Sequence, residues 1–115
     1  MSTIFDIGAV PINGVARKLA VSAAGTITIP KGAVARRVYI RNNTANAVTG
    51  GVSIGTTLAG VDVLAAAAVP ANGVNAYAPL ITAINLADVR TLYIGAVTAW
   101  NGASIDVAVE YADIV

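Results

Sequence analysis

From Ser104 to Tyr111 the sequence alternates without a break, with Ile105, Val107, Val109 and Tyr111 at one set of positions and Ser104, Asp106, Ala108 and Glu110 at the other. Successive side chains of an extended chain point to opposite faces, so the run predicts a strand with one apolar face. The same period recurs along the chain. Thr26–Ile29 is dominated by β-branched residues and stops at Pro30. In Arg36–Arg41, Val38 and Ile40 point one way while Arg37, Tyr39 and Arg41 point the other. Lys18–Ser22, Val52–Gly55, Val61–Ala66, Val74–Tyr77 and Thr91–Val97 complete a set of about eight short strands, spaced roughly ten residues apart. That spacing predicts an all-β chain, an antiparallel β-sandwich of jelly-roll-like type.

Punctuation between the strands supports this. Asn-Gly occurs at Asn13-Gly14, Asn72-Gly73 and Asn101-Gly102, each near a candidate strand; both residues tolerate the positive φ of tight hairpin turns, so the three together favour antiparallel pairing. Leu64–Ala68 admits a helix on propensity, but it is short and lies between Val63 and Pro70. Ile81–Arg90 reads as a loop with one helical turn. Residues 1–24 read as an extended N-terminal arm and first strand, and residues 25–115 as the sandwich. A chain of 115 residues makes one domain that buries roughly 65% of its unfolded surface.

The composition is apolar enough to suggest a membrane: 57% hydrophobic, with a mean hydropathy of +0.74. A spanning helix needs about 20 apolar residues in one run. The uncharged stretch from Val63 to Ala87 contains Pro70, Asn72, Gly73, Asn75, Pro79 and Asn85, and that from Asn42 to Val61 is rich in Asn, Thr and Gly. Neither is a plausible span. Six aromatics are too few for the two girdles of an outer-membrane barrel. Asp6 precedes any basic residue, and Pro11, Asn13 and Gly14 interrupt the first apolar run, unlike an export signal. The expectation is a soluble, unexported chain without a membrane partner.

Chemistry is sparsely represented. There is no His and no Cys, which removes the usual proton shuttle, thiol nucleophile and zinc ligands. Ser22, Ser53 and Ser104 have no histidine base, and no spacing recruits Lys18 or Lys31 in its place. Asp106 and Glu110 fall on the outward face of a strand, where solvated carboxylates are the default. Gly50–Gly55 has the glycine spacing of a phosphate loop but leads into Thr56-Thr57, without the lysine that reaches phosphate. Asp62 and Asp88 lack the spacing of a calcium loop. No enzyme activity, cofactor or metal is expected.

The charges are divided along the chain. Arg17, Lys18, Lys31, Arg36, Arg37 and Arg41 precede residue 42 against Asp6 alone, whereas Arg90 stands with Asp62, Asp88, Asp106, Glu110 and Asp113 after it. The net charge of +1 therefore conceals a basic first part and an acidic remainder. The accounts that fit are docking of the basic segment on an acidic surface, identical subunits meeting with opposite charges in contact, or Arg37 or Arg41 facing Asp106 or Glu110 across neighbouring strands. The stripe Arg37, Tyr39, Arg41 has too little basic excess for nucleic acid. Trp100, just before Asn101-Gly102, either meets a partner or covers the open end of its own sandwich. With 24 Ala, 16 Val and 12 Ile and few charges to solvate a surface, apolar faces buried between subunits are expected.

Ile29–Ala33, Arg37–Gly51 and Leu92–Ser104 resemble small virion proteins of tailed bacteriophages, a likeness covering residues 25 to 112. The resemblance implies a β-sandwich that trimerises and serves as a capsid decoration protein on the virion's capsid surface, assembled in the host cytoplasm. Its partners would be its own copies and the major capsid protein. The partner-binding residues expected are Arg17, Lys18, Arg36, Arg37, Tyr39, Arg41 and Trp100. The alternative is a tail-fibre or head-fibre module that binds host glycan through Trp100 with Tyr77 or Tyr93.

Overall fold

The computed structural model describes the backbone of residues 12–113 and the side chains of residues 14–113. Eight strands follow one another: β1 (Ile12–Val21), β2 (Gly25–Ile29), β3 (Ala33–Asn42), β4 (Val52–Gly55), β5 (Leu64–Ala67), β6 (Val74–Tyr77), β7 (Arg90–Ala96) and β8 (Ile105–Asp113). They form two antiparallel four-stranded sheets, ordered β1-β8-β3-β6 and β2-β7-β4-β5. Every connection except β4–β5 passes from one sheet to the other, which is the winding of a jelly roll.

Alternation decides what lies between the sheets. Val38 and Ile40 of β3 and Ile105, Val107 and Val109 of β8 are fully buried, and they meet Ile29, Leu92, Val52 and Ile54 from the second sheet. The largest fully buried side chains are all Ile, Leu and Val. Each contributes about 1.5–3 kcal/mol by leaving water, and a core of branched aliphatics explains how a fold with so few aromatics closes.

Several elements depart from expectation. The first strand begins at Ile12 rather than Lys18 and pairs with β8 from Ile12↔Asp113 to Val21↔Ile105. The part of the expected arm spanning residues 1–11 lies outside the described residues. Asn13-Gly14 is no turn but part of β1, with Gly14 opposite Tyr111. A Cβ on Gly14 would lie 2.5 Å from the Tyr111 ring, so the aromatic occupies the place of the missing side chain. Asn101-Gly102 does form a reverse turn: both residues have positive φ, 54° and 74°, and the Ala103 N–H donates to the Trp100 carbonyl at 2.9 Å. It joins β7 to β8, which belong to different sheets, and the turn at Asn72 likewise leads from β5 to β6 across the sandwich. Asn72-Gly73 and Asn101-Gly102 are thus turns and Asn13-Gly14 is not; the pairing is antiparallel throughout, as expected, but these turns reverse the chain between sheets, because a turn does not fix which sheet receives the next strand.

The strand expected at Val61–Ala66 is present at Leu64–Ala67, and the competing helix is not formed. Its register with β4 slips between Val52↔Ala67 and Ile54↔Leu64, a bulge in which Ala66 takes a φ of 47°. Residues 78–89 contain no helical turn. They run beside the start of β3, where Ala35 donates to the Thr82 carbonyl and Gly32 to that of Asn85, each at 2.8 Å. Among the described residues no helix is long and apolar enough to cross a membrane.

Candidate partner-binding faces

The outer face of the first sheet follows from the alternation that fills the core. With Val38 and Ile40 inside, β3 turns Arg37, Tyr39 and Arg41 outward; β8 likewise presents Asp106, Ala108 and Glu110. β1 adds Val15, Arg17 and Leu19, all exposed. Register then sets the neighbours: Arg17 lies opposite Ala108, Ala108 opposite Tyr39, and Tyr39 opposite Ala76. Because Ala108 is small and stands between Arg17 and Tyr39, the face dips there into a shallow hollow of about 240 Å³, bounded also by Leu19, Arg41 and Val74. Leu19 and Val74 are 63% and 66% exposed, unusually open for large apolar side chains on a sheet.

Asp106 organises one side of this hollow. Its carboxylate accepts the Ala20 N–H at 3.0 Å and the Arg41 guanidinium at 2.8 Å. The Ala20 N–H, then the Asn43 side chain and Arg41, hold its pKa below the ordinary 3.8 against the opposing effect of burial. The cross-strand account of the charges is therefore realised at Arg41. Arg37 lies directly opposite Glu110 in the register, without an ion pair to it.

Of the residues singled out in the sequence, Arg17, Arg37, Tyr39 and Arg41 share this face. Lys18 sits at the sheet edge, its Cε 3.9 Å from where a Cβ on Gly25 would be, and so turns toward β2. Arg36 is the extra residue of a bulge between Ala35↔Tyr111 and Arg37↔Glu110. Trp100 lies away from all of them. Val15, Leu19, Val74 and Ala108 complete the face but were not singled out; the alternation Val15, Arg17, Leu19 was the available signal.

Trp100 is half-buried, packs against the core, and lines a second hollow of about 310 Å³ on the other sheet. Ser53 and Gly95 also line it, as do Leu58 and Val61 of the β4–β5 loop. That loop is pinned by Asp62, whose carboxylate accepts the Thr56 hydroxyl at 2.6 Å and the Thr56 N–H at 2.8 Å. Those two bonds, hydroxyl first, lower the Asp62 pKa. Comparison with protein-family models, curated proteins and solved structures gave no match. The functional reading thus rests on these faces and on the sequence likeness described above.

The glycan alternative had paired Trp100 with Tyr77 or Tyr93. Tyr77 belongs to the first sheet, packs against the core and donates its hydroxyl to the Ala68 carbonyl. Tyr93 stands on the second sheet, between Thr26 and Gly55. Of the serines, Ser53 is buried, with its hydroxyl 3.4 Å from the Gly95 carbonyl. No group of three or more acidic residues gathers as a metal site among the described residues.

Proposed function

We propose that this chain is a non-enzymatic virion structural protein, a trimeric capsid decoration protein that docks on the major capsid lattice through the outer face of its first sheet. The observation carrying this reading is that face itself. Arg17, Arg41, Tyr39, Leu19 and Val74 combine cations, an aromatic and exposed aliphatics around a shallow hollow, with Arg37 further along the same face, the mixture that suits a protein partner better than a small substrate. Large apolar side chains are also exposed at the loop end of the sandwich, at Leu80, Ile81, Leu86 and Val89. These suit contacts between copies. The phrases that resemble phage virion proteins give the reading its setting.

Co-sedimentation of the purified protein with empty capsids of its own phage tests the proposal, beside analytical ultracentrifugation of the protein alone. Saturable binding by a trimer is expected, with a loss of about tenfold or more in affinity for the Arg17→Ala, Tyr39→Ala double variant. A monomer at micromolar concentration, or capsid binding indifferent to the double variant, would overturn it.

A further inference from the structure

The outer face of the second sheet is built from different chemistry. Its outward positions on β2, β7 and β4 include Thr26, Thr28, Thr91, Tyr93, Ser53 and Gly95, none of them charged. At the end of this hydroxyl-bearing face lies the 310 Å³ hollow beside Trp100, near the lower bound of about 300 Å³ for small-ligand sites.

Two features of the hollow point to a ligand. The first is Gly95. Its φ lies outside the left-handed region and a Cβ there would meet only the Ser53 hydroxyl, at 3.8 Å. Backbone conformation does not require glycine at this strand position, where a β-branched residue would be favoured; the missing side chain leaves the floor open. The second is Ser53, only 6% exposed, whose hydroxyl has one long bond of 3.4 Å to the Gly95 carbonyl. A buried hydroxyl donating weakly retains its full acceptor capacity, which an aliphatic occupant would leave unused.

We infer that this hollow binds one ring of a neutral saccharide, with the C–H face of the ring against the Trp100 indole and a ring hydroxyl donating to Ser53. A sugar ring is apolar on its faces and hydroxylated at its rim, matching an indole wall and a hydroxyl floor. Leu58 and Val61 close the aliphatic side. An anionic ligand would find no cation among the lining residues. The threonines and Tyr93 on the same face place further hydroxyls where an attached ring would run. This site lies on the opposite sheet from the proposed capsid-docking face, and neither depends on the other.

Trp100 is the sole tryptophan, so its fluorescence reports on the hollow directly. The experiment titrates the full chain with maltotriose, cellotriose and the N-acetylglucosamine trimer, after screening on an array of neutral and sialylated glycans. Saturable change in Trp100 emission with a neutral glycan is expected. Gly95→Val, filling the floor, should weaken binding by about tenfold or more with an unchanged circular dichroism spectrum. Gly95→Ala replaces it if valine disturbs the fold. Ser53→Ala should weaken binding by a smaller factor. Absence of binding across the array, a preference for sialylated glycans, emission moved only by an apolar dye, or undiminished affinity in the Gly95 variants would each overturn the assignment.

Discussion

The carboxylate of Asp106 on β8 lies 2.8 Å from the guanidinium of Arg41 on β3, while its other oxygen receives the Ala20 N–H from β1 at 3.0 Å. One side chain thus ties together three adjacent strands. Arg41 is 62% exposed and the Asp106 side chain only 17%, so the two ends of the contact are unequal in worth. Arg41→Ala should cost no more than about 0.5 kcal/mol. Asp106→Ala should cost about 1–2 kcal/mol, because it also strips the Ala20 N–H of its acceptor. Urea denaturation of both variants measures the difference.

The same carboxylate predicts an acid dependence. Its folded pKa is depressed below the ordinary 3.8, so the native state favours the charged form. The resulting stability is present above that value and is lost as pH falls through the folded pKa. Asp106→Asn should be less stable than the wild type at neutral pH, and the gap should narrow as pH falls below the ordinary carboxylate range. A gap that stays constant across that range would show that the carboxylate's charge is not what Ala20 and Arg41 read.

Gly14 and Tyr111 predict a coupled pair. Because a Cβ on Gly14 would come within 2.5 Å of the ring, Gly14→Val should destabilise by about 1–3 kcal/mol through overpacking. Combining it with Tyr111→Ala should recover part of that loss, giving a non-additive double-mutant cycle. Strictly additive costs would place the ring elsewhere.

Asp62 holds the β4–β5 loop closed through both polar groups of Thr56. Asp62→Ala should raise hydrogen exchange and protease cleavage around Leu58–Gly60 while leaving β8 protected. It should also disturb the wall of the hollow beside Trp100.

Arg90 presents a buried Nε with no hydrogen-bond partner. An unsatisfied buried donor is costly, and Met matches the length of the side chain without it. Arg90→Met should therefore be neutral or stabilising by up to about 1 kcal/mol in thermal unfolding, where most substitutions of a partly buried residue lower the melting point.

What the sequence revealed depended on where the decisive interactions lie. β3 and β8 were legible because Val38, Ile40, Ile105, Val107 and Val109 write the inner face in large aliphatics. β4 and β6 were legible from β-branched residues between turn signals. β1 was hard to see because the described residues opposite Val15 and Arg17 in the alternation are small, Gly14 and Ala16. The filler over Gly14 comes from Tyr111, nearly a hundred positions away, and no local pattern discloses it. The binding face was half visible for a similar reason. Alternation within β3 grouped Arg37, Tyr39 and Arg41, but Arg17 joins them only through the register of β1 on β8. The hollow over Gly95 was invisible, since a glycine that leaves space looks like any other glycine in a list of residues.

The place of β8 governs when this protein can acquire its structure. The last of the described strands is also an interior strand of the first sheet, hydrogen-bonded to β1 on one side and β3 on the other. During translation β1 and β3 leave the ribosome with no strand between them, and they wait for residues 105–113 before either has its main partner. Pairings of such large sequence separation form slowly, and waiting strands are open to misassembly. A nascent chain stopped before Ile105 lacks the strand that joins β1 to β3, and the apolar face of its second sheet stays partly uncovered. Synthesis of residues 105–113 is therefore the event that commits these strands to their sheet.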